Sequence, residues 1–401
     1  MPRYFYPAAC IRYTVVYGVV GLTIRSALMR ICLTLPFACD PKAASFALPY
    51  GIAVIAPILQ KQHPGADIFF STNENEVLSA DIIYCSGMSE AWDIVNDLGR
   101  KAIERGKKFV VGGQHVTALP QTLRYGEAFR GPLENFEQPW ANPLPDWSIF
   151  PTSLHSNAKY IVMSSRGCPF KCRFCSSSSF WSGRYFPFPT NRVIAEIRQL
   201  AHMGVKEIIL FDDLFTANAS RLRSLVERIV SEGLNYIRYS CLVRADTISN
   251  EVLDLLQAMN VVNAAFGAES GSDIMLRVMN KQTTCDKNQK CIDLLLSYGY
   301  SPVFSMVIGF PGESRSTLQQ TFDFIAHNKG KCLPEVYPVQ PLPGTWLWDY
   351  FTNKYNPDLN SFDWSSLSLR GNTLDWEKYH LLSDSCTIDD LREFMALASS
   401  K

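Results

Sequence analysis

Residues 160–175 read YIVMSSRGCPFKCRFC, an apolar run that leads directly into a loop with three cysteines. The run at Tyr160–Ser164 has the length and composition of a buried strand. Cys168, Cys172 and Cys175 follow it with the spacing C-x3-C-x2-C. In barrels of alternating strands and helices, active-site residues come directly after the strands. The loop therefore stands where such a fold carries its chemistry.

Three thiolates on one loop favour an iron–sulfur cluster. They can bind three corners of a cubic 4Fe-4S cluster and leave the fourth iron open. A structural zinc site would need a fourth protein ligand nearby, and the nearest downstream candidate, His202, lies in a predicted helix. The other nine of the 12 cysteines have no metal-like spacing. They are interpreted as small buried hydrophobic residues.

Downstream of this loop, apolar strands alternate with amphipathic helices. The predicted strands are Tyr160–Ser164, Glu207–Phe211, Ile237–Val243, Val262–Gly267, Val303–Ile308 and Glu335–Pro338. The predicted helices between them are Asn191–His202, Ser220–Glu232, Ser249–Met259, Ser272–Asn280, Asp286–Tyr298 and Ser316–Asn328. Six successive β/α units predict an α/β fold with a partial (β/α)6 TIM-like barrel or a full barrel.

Upstream of the loop, a second alternating pattern predicts a doubly wound, Rossmann-like parallel sheet, with ligands at the carboxyl ends of its strands. Pro57 is expected to kink the first helix of this pattern. The four clear strands are Arg30–Leu35, Asp67–Phe70, Asp81–Cys85 and Lys108–Val111. The helices are Tyr50–Gln62 and Glu90–Arg105.

These patterns divide the chain into five parts. They are an N-terminal extension at 1–28, a Rossmann-like domain at 29–130, a linker at 131–157, the barrel at 158–345 and a C-terminal cap at 346–401. The apolar run Tyr13–Thr23 is too short to span a bilayer and resembles a signal-peptide core. We expect that it is not a secretory signal; it is either an extra strand or helix, or an extension ahead of a natural start at Met29. No other apolar run approaches membrane-spanning length, so no membrane span is predicted.

The composition limits the function further. The chain has 401 residues, 38 basic and 38 acidic side chains, and a hydrophobic fraction of 47%. The zero net charge provides no basic surface for a nucleic-acid backbone. Cysteines this sparse exclude a disulfide-dense secreted scaffold. We expect a cytoplasmic enzyme that acts on a small molecule.

The cysteine loop, with Phe174 before its last cysteine, resembles the signature of the radical S-adenosylmethionine (SAM) superfamily. Four later segments resemble that superfamily in the same order, so the resemblance covers roughly residues 158–345. They are Asp212-Asp213-Leu-Phe215, Arg244-Ala-Asp246, Glu269-Ser270-Gly271-Ser272 and Gly309-Phe-Pro311-Gly312-Glu313.

The resemblance implies that the open iron binds the amino and carboxylate groups of SAM. An electron from a reductase or flavodoxin-type donor would then yield a 5′-deoxyadenosyl radical that abstracts a substrate hydrogen. The implied SAM contacts are Phe174 with the adenine, Asp212 or Asp213 with the ammonium, Arg244 with the carboxylate, Glu269 or Ser270 with the ribose, and the backbone of Gly309, Pro311 and Gly312 with the adenine. Each has a structural alternative: a helix cap for the Asp pair and for Glu269, an ion pair of Arg244 with Asp246, and a tight turn at Gly309–Gly312.

Residues 110–120 read VVGGQHVTALP and resemble the cobalamin-binding domain of one large subgroup of this superfamily. The implied cobalamin contacts are Ser86, Gly87, Gly112, Gly113, His115 and Thr117. Two features depart from the pattern. No Asp-x-His-x-x-Gly motif is present to supply a cobalt ligand, and the expected fifth strand reduces to Arg130-Gly131-Pro132. The domain therefore either binds cobalamin or has lost the site and serves as a lid.

Three hypotheses remain open. The first is cobalamin-dependent methyl transfer to an unactivated carbon or phosphorus of a small molecule. The second is radical oxidation, rearrangement or ring formation without cobalamin, and the third is a non-catalytic zinc-bound structural protein. The catalytic acid and base are unassigned, and Tyr185 and His380 are the candidates.

Overall fold

The computed structural model describes residues 28–36, 47–135, 138, 141–156, 158–368 and 374–399. The apolar run at Tyr13–Thr23 lies outside these residues. Among the helices in the described ranges, none combines the length and the apolar character needed to cross a bilayer.

The N-terminal part forms a parallel sheet of five strands with helices between them. The sheet order is β2-β1-β3-β4-β5, and every adjacent pair is parallel. In chain order the elements are β1 (Arg30–Thr34), α1 (Tyr50–Gln62), β2 (Asp67–Phe70), α2 (Glu74–Val77), β3 (Ile82–Ser86), α3 (Trp92–Glu104), β4 (Lys108–Gly112), α4 (Gln114–Ala118) and β5 (Glu127–Ala128).

This order belongs to the doubly wound folds, in which strands are added first on one side of β1 and then on the other. A ligand crevice opens where the order switches, between β1 and β3. The fifth strand corrects the count of four from the sequence. It comprises Glu127 and Ala128, which pair with Val110 and Val111, just before the predicted remnant at Arg130-Gly131-Pro132. Both strand residues are exposed, so they carry no apolar pattern that could reveal a strand.

Helix α1 runs through Pro57 without interruption. Proline has no backbone N–H, so the carbonyl of Ala53 has no helical donor. The backbone N–H of Asp146, in the segment between the two sheets, donates to that carbonyl at 2.8 Å. The proline therefore creates a docking point for the connecting segment.

The second sheet has six parallel strands in the order β13-β12-β11-β10-β9-β6 and forms a partial barrel, with helices between successive strands. In chain order the elements are β6 (Tyr160–Val162), β7 (Ser165–Arg166), α5 (Ser176–Phe180), β8 (Phe186–Pro187), α6 (Thr190–His202), β9 (Glu207–Leu210), α7 (Ala219–Ser231), β10 (Arg238–Val243), α8 (Asn250–Ala258), β11 (Val261–Glu269), α9 (Asp273–Val278), α10 (Cys285–Ser297), β12 (Val303–Ile308), α11 (Arg315–His327) and β13 (Leu333–Pro338). Strands β7 and β8 form a separate antiparallel pair.

The C-terminal segment contains α12 (Trp346–Tyr355) and α13 (Ile388–Ser399) and packs on both sheets. One hydrophobic cluster joins Trp92 and Val95 of α3 to Trp348 and Phe351 of α12. The indole of Trp364 lies 5.9 Å from that of Trp348, nearly parallel to it. The C-terminal segment thus links the N-terminal sheet to the barrel through apolar contacts.

Candidate active site

The cysteine loop is anchored to the end of β9. The side chain of Asp212 accepts hydrogen bonds from Ser164 Oγ at 2.9 Å and from Ser165 Oγ at 2.7 Å. Asp213 Oδ2 accepts from the backbone N–H of Gly167 at 2.8 Å. The two adjacent carboxylates therefore fix the chain on the approach to Cys168.

Gly167 is required at its position by both space and conformation. Its φ is +78°, and a Cβ there would lie 2.1 Å from the backbone oxygen of Arg184. Only glycine combines this conformation with so close a backbone approach. The chain therefore turns sharply into the cysteine loop one residue before Cys168.

The three cysteines remain partly accessible, unlike the buried Cys32, Cys85, Cys241 and Cys291. Burial raises the pKa of the Cys168 thiol, and raises that of Cys175 to about 11. Cationic iron would offset this cost, because coordination stabilises the thiolate.

The donor set fits a cubic cluster. Within the described ranges, no three His, Cys, Asp or Glu side chains converge closely enough to hold a single metal ion. A cubic cluster makes a different demand, since each thiolate binds a separate iron. Three thiols from one loop, beside an accessible cavity, meet that demand.

A cavity of about 290 Å³ lies between the cysteine loop and the strands of the barrel. Residues at two levels of the barrel sheet line it. Ala265 and its strand partner Val303 form one level, and Gly267, Ser305 and Glu335 pair in that order to form the next. The lining includes all three cysteines and the polar or aromatic side chains of Phe174, Asp213, Arg244, Glu269, Lys281, Ser305 and Glu335.

Arg244 lies at the wall of this cavity and already has partners. Its Nε lies 2.6 Å from Asp246 Oδ1, and its Cζ lies 3.7 Å from the centre of the Phe170 ring. The guanidinium also donates to the backbone oxygen of Lys281. The structure thus contains the Arg244–Asp246 ion pair that was the alternative in the sequence analysis, at a position that still faces the cavity.

Glu269 also lies at the cavity wall, in a strained backbone conformation. Its φ is +66°, and the register of β11 with β12 shifts between Gly267 and Glu269. Lys281 Nζ lies 2.7 Å from Glu269 Oε1, and both side chains are nearly buried. A Cβ on Gly267 would lie 1.9 Å from Glu269 Oε1. The bulge and the glycine together make room for this ion pair.

Five other residues with implied SAM contacts do not line the cavity. Asp212 holds the start of the cysteine loop, and the hydroxyl of Ser270 lies 3.1 Å from Thr321 Oγ1. Gly309 faces the C-terminal segment, because a Cβ there would lie 2.6 Å from the Tyr379 hydroxyl. Pro311 and Gly312 continue the same turn. Of the aspartate pair, the structure places only Asp213 at the cavity.

The residues with implied cobalamin contacts gather at the carboxyl ends of β3 and β4. The Gly87 N–H donates to the Gly112 oxygen at 3.0 Å, and Gly113 has a φ of +110°. A Cβ on Gly112 would meet open space, whereas one on Gly113 would lie 3.1 Å from the Gly87 oxygen. Ser86 stands next to this turn. The Thr117 hydroxyl donates to the Gly113 oxygen and accepts from the Gly131 N–H.

His115 is packed away from that surface. Its ring lies 3.8 Å from the Trp92 ring and 4.6 Å from the Trp364 ring. Nδ1 lies 2.9 Å from Ser89 Oγ and Nε2 lies 3.0 Å from Thr122 Oγ1. The Thr122 hydroxyl donates to Leu119, so Nε2 carries the proton and Nδ1 accepts from Ser89. Burial lowers the pKa of His115 to about 3.

Sequence reasoning missed Lys281, which the structure brings to Glu269. No spacing or motif marks it, because the contact forms only when the chain after α9 returns to the end of β11. The two acid–base candidates lie elsewhere: neither Tyr185 nor His380 lines the cavity, and His380 Nε2 lies 3.2 Å from Ser366 Oγ.

Comparisons with known proteins bear on this site. The chain is 32% identical over 212 residues, 52% of its length, to an uncharacterized methyltransferase of Pyrococcus horikoshii, with 46% of that protein covered. It is 29% identical over 267 residues, 65% of its length, to an anaerobic magnesium-protoporphyrin IX monomethyl ester cyclase of Cereibacter sphaeroides, with 41% of that protein covered. The chain thus spans about half the length of the curated relatives it matches.

The fold resembles that of the radical S-adenosylmethionine methyltransferase TsrM of Kitasatospora setae, solved with cobalamin and a 4Fe-4S cluster bound. The TM-score is 0.67 at 15% identity, covering 82% of this chain and 78% of that one, so the likeness concerns the fold and includes both sheets. Residues 162–325 match the Radical SAM superfamily. This part of the chain, which holds the cysteine loop and most of the barrel, is therefore a radical SAM domain.

Proposed function

We propose that this chain is a radical SAM methyltransferase that acts on a small molecule. The observation that carries the proposal is that Cys168, Cys172 and Cys175 line the same cavity as Asp213 and Glu269, at the carboxyl ends of the barrel strands. Bound there, a 4Fe-4S cluster would supply the electron that cleaves the sulfonium C–S bond of SAM.

The polar groups of the cavity wall suit SAM. Asp213 is exposed and its carboxylate is available to an ammonium group. Glu269 and Lys281 offer an acceptor and a donor side by side. Phe174 provides an aromatic edge beside the last cysteine, where an adenine ring could pack.

Cobalamin would lie over the carboxyl ends of β3 and β4, against Ser86, Gly87, Gly112 and Gly113. Support comes from the parallel 2-1-3-4-5 strand order, whose ligand crevice opens between β1 and β3, next to these residues, and from the open space beside Gly112. His115 would not bind the cobalt, because both of its ring nitrogens are occupied by hydroxyl groups.

In this proposal residues 29–130 form the cobalamin domain, 131–157 the linker, 158–345 the radical SAM barrel and 346–401 a cap over the substrate. The electron would come from a flavodoxin-type or reductase partner. A cytoplasmic location would keep the cluster away from oxidants.

The test is anaerobic purification with iron, sulfide and cobalamin supplied, followed by turnover with methyl-labelled SAM and pooled metabolites. We expect corrin absorbance, label in a product, and both 5′-deoxyadenosine and S-adenosylhomocysteine. Deoxyadenosine alone, without corrin absorbance, would favour radical chemistry without methyl transfer. A colourless, iron-free protein would refute the whole proposal.

A further inference from the structure

Arg166 lies two residues before Cys168 and is buried, with an exposed fraction of 3%. Its guanidinium carbon lies 5.1 Å from the centre of the Tyr50 ring and 5.0 Å from that of the Phe188 ring. Tyr50 begins α1 of the N-terminal part, whereas Phe188 follows β8 of the barrel part. The side chain that leads into the cysteine loop is therefore held by both halves of the chain.

Among the residues that the structure describes, Glu134 supplies the carboxylate that pairs with this guanidinium. Glu134 Oε1 lies 3.0 Å from Arg166 Nη2, and Glu134 Oε2 lies 3.3 Å from Nη2 and 3.4 Å from Nε. Glu134 belongs to the segment between the two sheets, and its side chain is 13% exposed. A buried guanidinium is tolerated only when it is paired. Arg166 can therefore occupy this position only when the connecting segment is docked.

A second ion pair reinforces the same docking. Buried Glu196 of α6 attracts Arg166 and lies 3.4 Å from Arg192 Nη1. Arg192 Nη2 also donates to the backbone oxygen of Pro143, in the connecting segment, at 2.8 Å. Each of the two arginines thus contacts the connecting segment, Arg166 through Glu134 and Arg192 through the Pro143 oxygen.

The backbone transmits the position of Arg166 to the cysteines. Arg166 pairs with Phe186 in the short β7–β8 ladder. Gly167 is then confined by its N–H bond to Asp213 and by the carbonyl of Arg184. Gly167 is the one residue between Arg166 and Cys168, and its position is fixed by these contacts. A shift of Arg166 must therefore move the first cysteine.

We propose that Arg166 is a positioning residue for the cluster, and that Glu134 makes the geometry of the cysteine loop depend on the docked segment between the two sheets. The inference rests on the proposed cluster site. Groups that orient metal ligands without touching the metal commonly change metal affinity by about 10- to 100-fold. The Arg166–Glu134 pair acts on the cluster in this way.

The test uses the full chain, reconstituted anaerobically with iron and sulfide. Arg166→Lys keeps the charge but loses the planar fork, and Glu134→Gln keeps the shape but loses the charge. We expect both variants to release iron to a chelator about 10-fold faster than the unmodified protein. We also expect their reduced clusters to show an altered electron paramagnetic resonance spectrum, with a weaker change on addition of SAM.

Ile197→Ala is the matched control, because Ile197 is fully buried on the same helix as Glu196 and touches the hydrophobic core. It should lower stability to urea without changing iron release or the spectrum. Equal iron release in Ile197→Ala and Arg166→Lys would reduce Arg166 to a general stabilising role and overturn the inference. Unchanged spectra and iron release in Glu134→Gln would overturn it as well. An unmodified protein that holds no iron would refute the proposed function first.

Discussion

Lys281 Nζ lies 2.7 Å from Glu269 Oε1, and the two side chains are only 10% and 8% exposed. The pair joins the loop after α9 to the bulged end of β11. It forms part of the wall beside the three cysteines. Its charges therefore serve two purposes: they neutralise each other in the fold, and they present a donor and an acceptor to whatever occupies the cavity.

Lys281→Met should be strongly destabilising, because it leaves the Glu269 carboxylate buried without a cation. The expected loss in the free energy of unfolding is about 3–5 kcal/mol, measured by urea denaturation. The double variant Lys281→Met/Glu269→Gln should recover much of this loss, since no uncompensated charge remains. A single variant as stable as the unmodified protein would contradict the pairing.

Cys172→Ala should abolish the iron–sulfur cluster, because two thiolates cannot hold three corners. Iron content after reconstitution should fall further than in Arg166→Lys and Glu134→Gln, which leave all three thiols in place. Cys291→Ala is the matched control, because Cys291 is buried on α10 and does not line the cavity. Equal iron loss in both variants would contradict the assignment.

Glu313 should make the free energy of unfolding depend on pH, in a direction that the structure predicts. Its side chain is fully buried, and burial raises its pKa to about 7. In the unfolded chain the carboxyl titrates near its usual value, about 4.3. As pH rises from about 4.3 to about 7 the unfolded chain releases this proton while the folded chain keeps it. The stability contributed by Glu313 is therefore present at low pH and lost through this window.

Glu313→Gln should remove this loss. Relative to the unmodified protein, the variant should gain about 3 kcal/mol at pH ~8 and almost nothing at pH ~4. Urea denaturation of the cluster-free protein at several pH values measures the difference. A gain independent of pH would point to repacking around Thr317, which donates to Glu313, instead of to titration.

His115 should leave the cobalt without a protein imidazole. A nitrogen ligand splits the electron paramagnetic resonance signal of cob(II)alamin. Both nitrogens of His115 are already bonded, to Ser89 and Thr122, so this residue should cause no such splitting. We expect the bound cobalamin to give the same spectrum in the unmodified protein and in His115→Asn. A nitrogen splitting that disappears in the variant would show that the ring leaves its place between Trp92 and Trp364.

Pro57→Ala should weaken the docking of the connecting segment. Alanine supplies an N–H that competes with Asp146 for the Ala53 carbonyl. Losing a hydrogen bond worth about 1 kcal/mol should speed amide exchange at Asp146 by about 5-fold. Pro151→Ala, in the same segment, is the control and should leave that amide unchanged. Hydrogen exchange by mass spectrometry measures both.

Much of the fold could be predicted from periodicity. The predicted helices and strands of the barrel part begin and end within a few residues of their observed bounds, because their buried faces impose a regular apolar spacing, whereas the short β7, α5 and β8 were not predicted. β5 could not be predicted, because Glu127 and Ala128 are both exposed and carry no apolar pattern. The continuity of α1 through Pro57 depends on Asp146, a distant donor that local pattern cannot show.

The candidate site was predictable in part. The cysteines and the strand before them are local features, so they could be located from the sequence alone. The sequence could not show which of Asp212 and Asp213 faces the cavity, because adjacent residues at a strand end point in opposite directions. The turn at Gly309 follows a strand like the other motifs, yet Tyr379 covers it from the C-terminal segment, a contact set only by tertiary packing.

The two edge strands of the barrel sheet, β6 and β13, have different neighbours. The cysteine loop and its anchors lie beside β6, whereas the C-terminal segment follows β13 along the chain. The cavity spans both edges, from Cys168 to Glu335. The first turn of α12 nevertheless contacts the cysteine loop, because the Leu347 N–H donates to the Arg173 oxygen at 3.2 Å and the Arg173 guanidinium carbon lies 4.5 Å from the centre of the Trp346 ring. A change at the start of α12 would therefore act directly on the stretch between Cys172 and Cys175.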